Sequence, residues 1–95
     1  MTSKQRAFLK SKAMNIDAIF QIGKGEITPE LTQSVEDALT ARELIKLSVL
    51  KNCMADLGEL AQTLAERTHS QVVQVIGRKI VLFKPDPKNT KYPLP

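Results

Sequence analysis

TPELTQSVEDALTARELIKLSVL, residues 28–50, carries two hydrophobic periods in direct succession. Its first part is helical. Leu31, Val35, Ala38 and Leu39 recur at i, i+4, i+7 and i+8 and form one apolar stripe. Thr28 suits the N-cap and Pro29 the first helical position, where its missing N–H does no harm. Glu30 stands in the first turn, where the helix dipole favours an acid. The spacing predicts a helix over 28–41. From there the period falls to two: Ile45, Leu47 and Val49 alternate with Lys46 and Ser48, which predicts a strand over 43–50 with one apolar and one polar face.

The same alternation extends in both directions. Residues 17–22, with Ala18, Ile19, Phe20 and Ile22, predict a short strand that Gly23-Lys24-Gly25 breaks. Strand, helix and strand in this order favour parallel neighbours in one sheet. Upstream, residues 3–14 predict a helix with Ser3 as N-cap, Leu9, Ala13 and Ile16 on one side, and Arg6 and Lys10 together on another. Downstream, Leu57, Leu60, Ala61 and Leu64 mark a helix over 56–68; Asp56 and Glu59 fit a capping-box variant, and Asn52 offers an earlier start. Residues 71–76 and 80–84 predict two strands joined tightly through Gly77-Arg78-Lys79, hence an antiparallel hairpin. Pro85, Pro87, Pro93 and Pro95 cannot continue a central strand, so residues 85–95 are expected to form a loose tail. The expected fold is α/β (α+β), ordered α-β-α-β-α-β-β, with one mixed four-stranded sheet packed with helices. Residues 1–84 form the domain and 85–95 the tail.

Ninety-five residues with 42% hydrophobic and 25% charged side chains match one soluble globular domain rather than a disordered chain. The single cysteine, Cys53, allows no internal disulfide and no cysteine-based metal site, which fits a reducing compartment. The charged N-terminus has no apolar segment behind it, so a secretory signal is not expected. The longest aliphatic or aromatic run, Ile80 to Phe83, falls far short of the roughly 20 residues that span a bilayer. The expected location is cytoplasmic, without a membrane partner. Net charge is +4, distributed as +4 over residues 1–12, −4 over 13–76 and +4 over 77–95. If the two ends meet in space they form one positive patch suited to an anionic partner; otherwise the basic ends serve solubility.

The residues for catalysis are sparse. His69, the only histidine, lies near a helix end, where it complements the dipole. Cys53 has no histidine near it in sequence, and Glu30, Glu36 and Asp37 read as a solvated helix face. The chain is therefore expected to be no enzyme, to hold no cofactor or metal, and to take no small-molecule substrate. Gly23-Lys24-Gly25 lets backbone approach a ligand ahead of a helix N-terminus, yet it lacks the phosphate-loop and dinucleotide patterns, and glycines at such turns are common for steric reasons alone. Lys46 interrupts an apolar strand, beside Ser48 on the same face. It is either a solvated lysine or, near Lys24 and Arg78, a phosphate contact. Phe8, Phe20 and Phe83 fit core positions and Tyr92 lies in the tail, so the sheet lacks the aromatic stacking platform of RNA-recognition sheets. An RNA partner would be held through phosphate, sugar and shape.

Four segments together resemble the CRM domain, the chloroplast RNA splicing and ribosome maturation domain, whose single-domain bacterial version is the YhbY-like family. They are Leu9 to Ala13, Gln21 to Thr28, Ala38 to Leu47 and Val73 to Lys84, so the resemblance covers about the first 84 residues. Arg-Glu-Leu-Ile-Lys at 42–46 and Gln-Val-Ile-Gly-Arg at 74–78 are its most specific parts. The resemblance implies an α-β-α-β-α-β-β fold similar to the C-terminal domain of translation initiation factor three. It implies RNA binding, in bacteria to precursors of the large ribosomal subunit and in plants within group II intron splicing factors. The family's GxxG loop, similar to that of KH domains, falls on Gly23, Lys24, Gly25 and Glu26, with Glu26 in place of the last glycine. An acid there repels phosphate unless it points away or caps the helix. Where the family commonly has histidine, this chain has Arg42, which keeps a basic contact.

These readings converge on a monomeric, ribosome-associated RNA-binding protein whose partner is ribosomal RNA or a precursor large subunit. The expected RNA contacts are Gly23, Lys24 and Gly25 at the loop, Arg42 and Lys46, and Arg78 and Lys79 at the hairpin turn, with Lys10 and Lys12 in support. Two rivals remain. The acidic middle suits a module that docks on a ribosomal protein or assembly factor. The glycine loop suits a small enzyme acting on a phosphorylated substrate, against which stands the lack of any His, Cys or carboxylate constellation.

Overall fold

Glu43 alone separates helix α2 (Pro29–Arg42) from strand β2 (Leu44–Val49), and its backbone makes the turn, with φ 66° and ψ −45°. The computed structural model describes residues 1–23, 27–53 and 56–94. Its other elements are α1 (Ser3–Ala13), β1 (Ala18–Ile22), α3 (Leu57–Thr68), β3 (Gln71–Ile76) and β4 (Lys79–Phe83), the order expected from the two alternating periods. The four strands form one mixed sheet in the order β1-β2-β4-β3. β1 and β2 run parallel, as a strand-helix-strand unit predicts, and β4 is antiparallel to both β2 and β3.

The β2 alternation decides the layering. Ile45, Leu47 and Val49 face α2 and α3, in a cluster with Val35, Leu39, Leu60, Leu64, Ile80 and Leu82. Leu44 points the other way, into a second cluster with Leu9 and Ala13 of α1 and with Val73, Val81 and Phe83. Helices therefore lie on both faces of the sheet, and β4 is buried from Ile80 through Phe83 because it is central. On the α1 face Phe83 meets Tyr92 edge-on, with ring centroids 6.2 Å apart and an interplanar angle of 84°.

Local signals set the element ends. The N-cap of α1 is Thr2 rather than the expected Ser3: Thr2 accepts from the Gln5 N–H while the Gln5 side chain accepts from the Thr2 N–H, and only Thr2 has glutamine three residues on. Thr28 and Asp56 cap α2 and α3 as expected. The β3–β4 turn is two residues, Gly77 and Arg78, with Lys79 already paired to Ile76. Gly77 has φ +57°, and an added Cβ would meet nothing within 4 Å. Gly77→Ala therefore isolates the backbone cost of positive φ, and we expect a loss of about 1–2 kcal/mol in chemical denaturation with an unchanged m-value.

Residues 85–94 hold no helix or strand, in line with their prolines, but they are not loose. The buried Glu43 carboxylate accepts from the Asp86 N–H at 3.2 Å, the Lys91 N–H at 2.7 Å and the Thr90 hydroxyl at 2.6 Å. The Lys91 ammonium also donates to the Ala41 carbonyl at 2.6 Å. A strand-like hydrogen-bond row is impossible for this segment, so one carboxylate gathers its donors instead. Burial pushes the Glu43 carboxyl up, as does the nearby Asp86 carboxylate, but the bonds from Thr90, Lys91 and Asp86 outweigh both and hold it below its ordinary value.

Candidate nucleic-acid interface

Topology brings Gly23, Arg78 and Lys79 to one end of the sheet. The parallel strands β1 and β2 finish together, and the Leu50 N–H donates to the Ile22 carbonyl at 2.8 Å. Gly23 follows directly, with Leu50 and Asn52 close to the place its Cβ would occupy. Because β4 is antiparallel to β2, its first residue Lys79 pairs with Ser48, and the Val49 N–H donates to the Arg78 carbonyl at 2.7 Å. Gly23, the loop after β2 and the β3–β4 turn thus share one end of the sheet. Lys24 and Gly25, with Glu26, lie outside the described residues.

Beside that end, α1 covers only part of its sheet face. The uncovered part is a shallow cavity of about 290 Å³ whose lining includes Met14, Lys46, Gln74, Ile76 and Lys79. Among the described residues no carboxylate lines it. Register places Lys46 opposite Val81 and Lys79 opposite Ser48, so the two lysines are diagonal neighbours on one face, a separation of about 7–8 Å between backbones. Lys79 Nζ donates to Ser48 Oγ at 3.0 Å, and Lys46, half-buried, has no polar partner among the described residues. Met14 and Ile76 are 82% and 60% exposed, so the cations stand next to open apolar surface. Lysine stems lying along such surface keep their ammonium groups at its rim, where phosphate oxygens can reach them while sugar or base covers the apolar part.

Arg78 has a structural task in addition to its charge. Its guanidinium donates to the carbonyls of Val49 at 3.0 Å, Leu50 at 2.6 Å and Cys53 at 3.1 Å, fixing the loop after β2 against the hairpin turn. Arg78→Ala should lower stability by about 1–3 kcal/mol in thermal or urea unfolding, and Arg78→Lys should recover only part, because an ammonium cannot fork across three carbonyls. Arg6 is engaged similarly, donating to the carbonyls of Val72 and Val73 at 2.6 and 2.9 Å, beside the irregular register of β3.

The remaining candidates are more dispersed. Arg42 ends α2 and therefore lies at the opposite end of the sheet, in a separate cavity with Lys91 and Tyr92. Lys10 and Lys12 lie on α1, with the Lys12 ammonium 5.4 Å from the centre of the Phe8 ring. Both chain ends contribute to one side of the sheet: Leu9 and Ala13 of α1 and Val81 and Phe83 of β4 share an apolar cluster, and Tyr92 packs against it. Among the described residues the ion pair is Lys84 with Glu36, at 4.0 Å, which leaves most cations without a carboxylate. Sequence reasoning missed Lys51, exposed in the loop beside Gly23. The parallel pairing of β1 and β2 was the available signal, since residues just past two such strands share one end of a sheet.

Comparison with known proteins agrees with this architecture. A family model described as the CRS1 / YhbY (CRM) domain matches residues 1–84. The chain is 45% identical over 95 residues to the "Probable RNA-binding protein YqeI" of Bacillus subtilis, covering 100% of this chain and 99% of that one. It is 33% identical over 94 residues to the "Probable RNA-binding protein MJ0652" of Methanocaldococcus jannaschii, covering 97% of this chain and 69% of the relative. The solution structure of protein SAV1595 from Staphylococcus aureus superposes with a TM-score of 0.84 at 48% identity, covering 100% of this chain and 99% of that one. With its helix and strand order, its Arg-Glu-Leu-Ile-Lys strand entry and its Gly-Arg hairpin turn accounted for, the chain belongs to the CRS1/YhbY (CRM) domain family.

Proposed function

We propose that this chain is an RNA-binding protein, and that its RNA is ribosomal RNA of the large subunit during assembly. The observation that carries the reading is the uncovered sheet face, where Lys46 and Lys79 stand side by side over exposed apolar surface with no carboxylate in the lining among the described residues. The names of the relatives, which describe RNA-binding proteins, support it from outside the structure. Gly23 adjoins this surface, and Lys24 and Gly25, which follow it in sequence and lie outside the described residues, are taken as further contacts; Lys51 adds charge at the same end. Arg78 positions the loop and contributes field. Arg42, Lys10 and Lys12 touch RNA that runs beyond this surface. The protein acts as a cytoplasmic monomer, without cofactor or catalysis, on ribosomal precursors.

Ultraviolet crosslinking of the full-length protein in cells, followed by sequencing of the attached RNA, tests the ribosomal part. Large-subunit ribosomal RNA and its precursors should dominate the crosslinked pool, and Lys46→Ala/Lys79→Ala should deplete it. Crosslinks spread over messenger and transfer RNA in proportion to abundance would remove the ribosomal assignment. Retention on precursor subunits after nuclease treatment would point instead to docking on a protein.

A further inference from the structure

At the end of the sheet away from Gly23, residues from the α1–β1 connection, the starts of β1 and β2, the end of α2 and the C-terminal segment line an open cavity of about 470 Å³. Ligand sites run from roughly 300 to 1,000 Å³, so it is large enough for one nucleotide. Its lining is chemically mixed: Ile16 and Ile19 are aliphatic, Tyr92 is aromatic, Arg42 and Lys91 are cationic, and Asp17 is the one carboxylate among the described residues. Arg42 is exposed, with no hydrogen bond or ion pair among the described residues. Lys91 gives one ammonium donor to the Ala41 carbonyl, which fixes its head at the cavity and leaves the others available. Lys91 and Tyr92 belong to a segment without regular structure, and the buried Glu43 carboxylate holds that segment in place. A buried charge is retained at a desolvation cost, and here its effect is to fix one ring and one cation at the mouth of a cavity.

We infer that this cavity binds a single unpaired nucleotide, with its phosphate at Arg42 and Lys91 and its base against Tyr92, Ile16 and Ile19. The inference rests on the RNA-binding reading and deepens it: an RNA chain lying on the Lys46–Lys79 face would have a second anchor at the far end of the sheet. The sheet itself offers no stacking platform, and Tyr92 supplies one outside it. Asp17, an acceptor only, takes a ribose hydroxyl or an exocyclic amine and keeps a second phosphate away. The same chemistry would be met by a nucleotide within RNA or by a free mononucleotide, and the test separates them.

Tyr92 is the only tyrosine and the chain has no tryptophan, so tyrosine emission reports this one ring, which lines the cavity and also packs on Phe83. The full-length protein is titrated with a fluorescein-labelled oligoadenylate or oligouridylate, followed by anisotropy. Unlabelled oligomer, AMP, UMP and inorganic phosphate are titrated separately, followed by Tyr92 emission and by the methyl resonances of Ile16 and Ile19. At saturation the oligomer should quench Tyr92 and move both methyls, and Arg42→Ala should abolish these responses and weaken affinity about 10-fold, the scale of one stacked, phosphate-anchored base. Tyr92→Leu should weaken it comparably by anisotropy. Equal responses to AMP or UMP at similar concentrations assign the cavity to free nucleotide, whereas responses to the oligomer alone assign it to RNA. Saturating RNA that leaves the methyls unmoved and Arg42→Ala at full affinity overturns the nucleotide pocket while the RNA-binding reading stands. Methyl shifts with AMP but no oligomer binding keep the pocket and remove the RNA reading. Silence in every titration, or a response matched by inorganic phosphate alone, removes the pocket.

Discussion

Phe83→Ala is expected to lower the unfolding free energy by about 3–5 kcal/mol. Phe83 is 1% exposed and sits where three elements meet: it pairs with Leu44 on β2, packs among Leu9, Ala13 and Val81 beneath α1, and makes a T-shaped contact with the Tyr92 ring. α1 and Tyr92 are anchored elsewhere, so they cannot close the void that alanine leaves, and the cavity term adds to the lost transfer energy. A domain of this size has about 5–15 kcal/mol of stability in total, so the variant should sit near the threshold of folding. The corresponding fall in Tm is roughly 10–40 °C. Phe83→Leu, which keeps most of the volume, should cost about 1.5 kcal/mol or less. Urea unfolding followed by circular dichroism checks both. A loss below about 1 kcal/mol for Phe83→Ala would mean that the face under α1 repacks freely, contrary to the second core described above.

The second large effect belongs to Glu43. Glu43→Ala removes the acceptor of three hydrogen bonds from the C-terminal segment; a bond to a charged group contributes about 1.5–3 kcal/mol net, and three that share one desolvated carboxylate do not add in full. We expect a net loss of about 2–4 kcal/mol, with amide exchange at Asp86 and Lys91 rising toward that of an exposed chain. Glu43 also holds a backbone conformation, φ 66° with ψ −45°, close to the strained γ-turn region. Glu43→Gly relieves that strain while losing the same bonds, so it should be more stable than Glu43→Ala yet release the segment equally. Glu43→Gln tests the charge itself. The carboxyl has a folded-state value below its ordinary 4.5, so its contribution is complete above that range and is lost as pH falls through the lowered value. Wild-type stability should therefore decline in acid from about pH 4.5 downward by more than that of Glu43→Gln, and the two should run parallel above it.

Elements were legible in the sequence where a single face decides them. The i, i+4, i+7, i+8 stripe of α2 and the alternation of β2 fixed both elements, and their order implied parallel pairing with β1. Lys46 and Ser48 were correctly placed on a face apart from Ile45, Leu47 and Val49, because the period of a strand is two. What long-range register decides was not legible. Arg78 reads in sequence as a free turn cation, and only the pairing of β2 with β4 brings its guanidinium to the carbonyls of Val49, Leu50 and Cys53. Arg6 follows the same rule against β3. The tail is the clearest case. Its prolines forbid a strand, yet its order comes from one side chain at a helix–strand junction more than forty residues earlier, and no local pattern records that bond.

Binding of the full-length chain to large-subunit ribosomal RNA fragments across a salt series tests the RNA-binding claim most directly. Each neutralised phosphate adds about −0.7 to −0.9 to the slope of log affinity against log salt. The structure predicts a steep negative slope that becomes shallower by about 1.5 when Lys46 and Lys79 are both changed to alanine, with the fold intact by circular dichroism. Absence of binding, or an affinity that ignores both salt and the two substitutions, would contradict RNA recognition by this face.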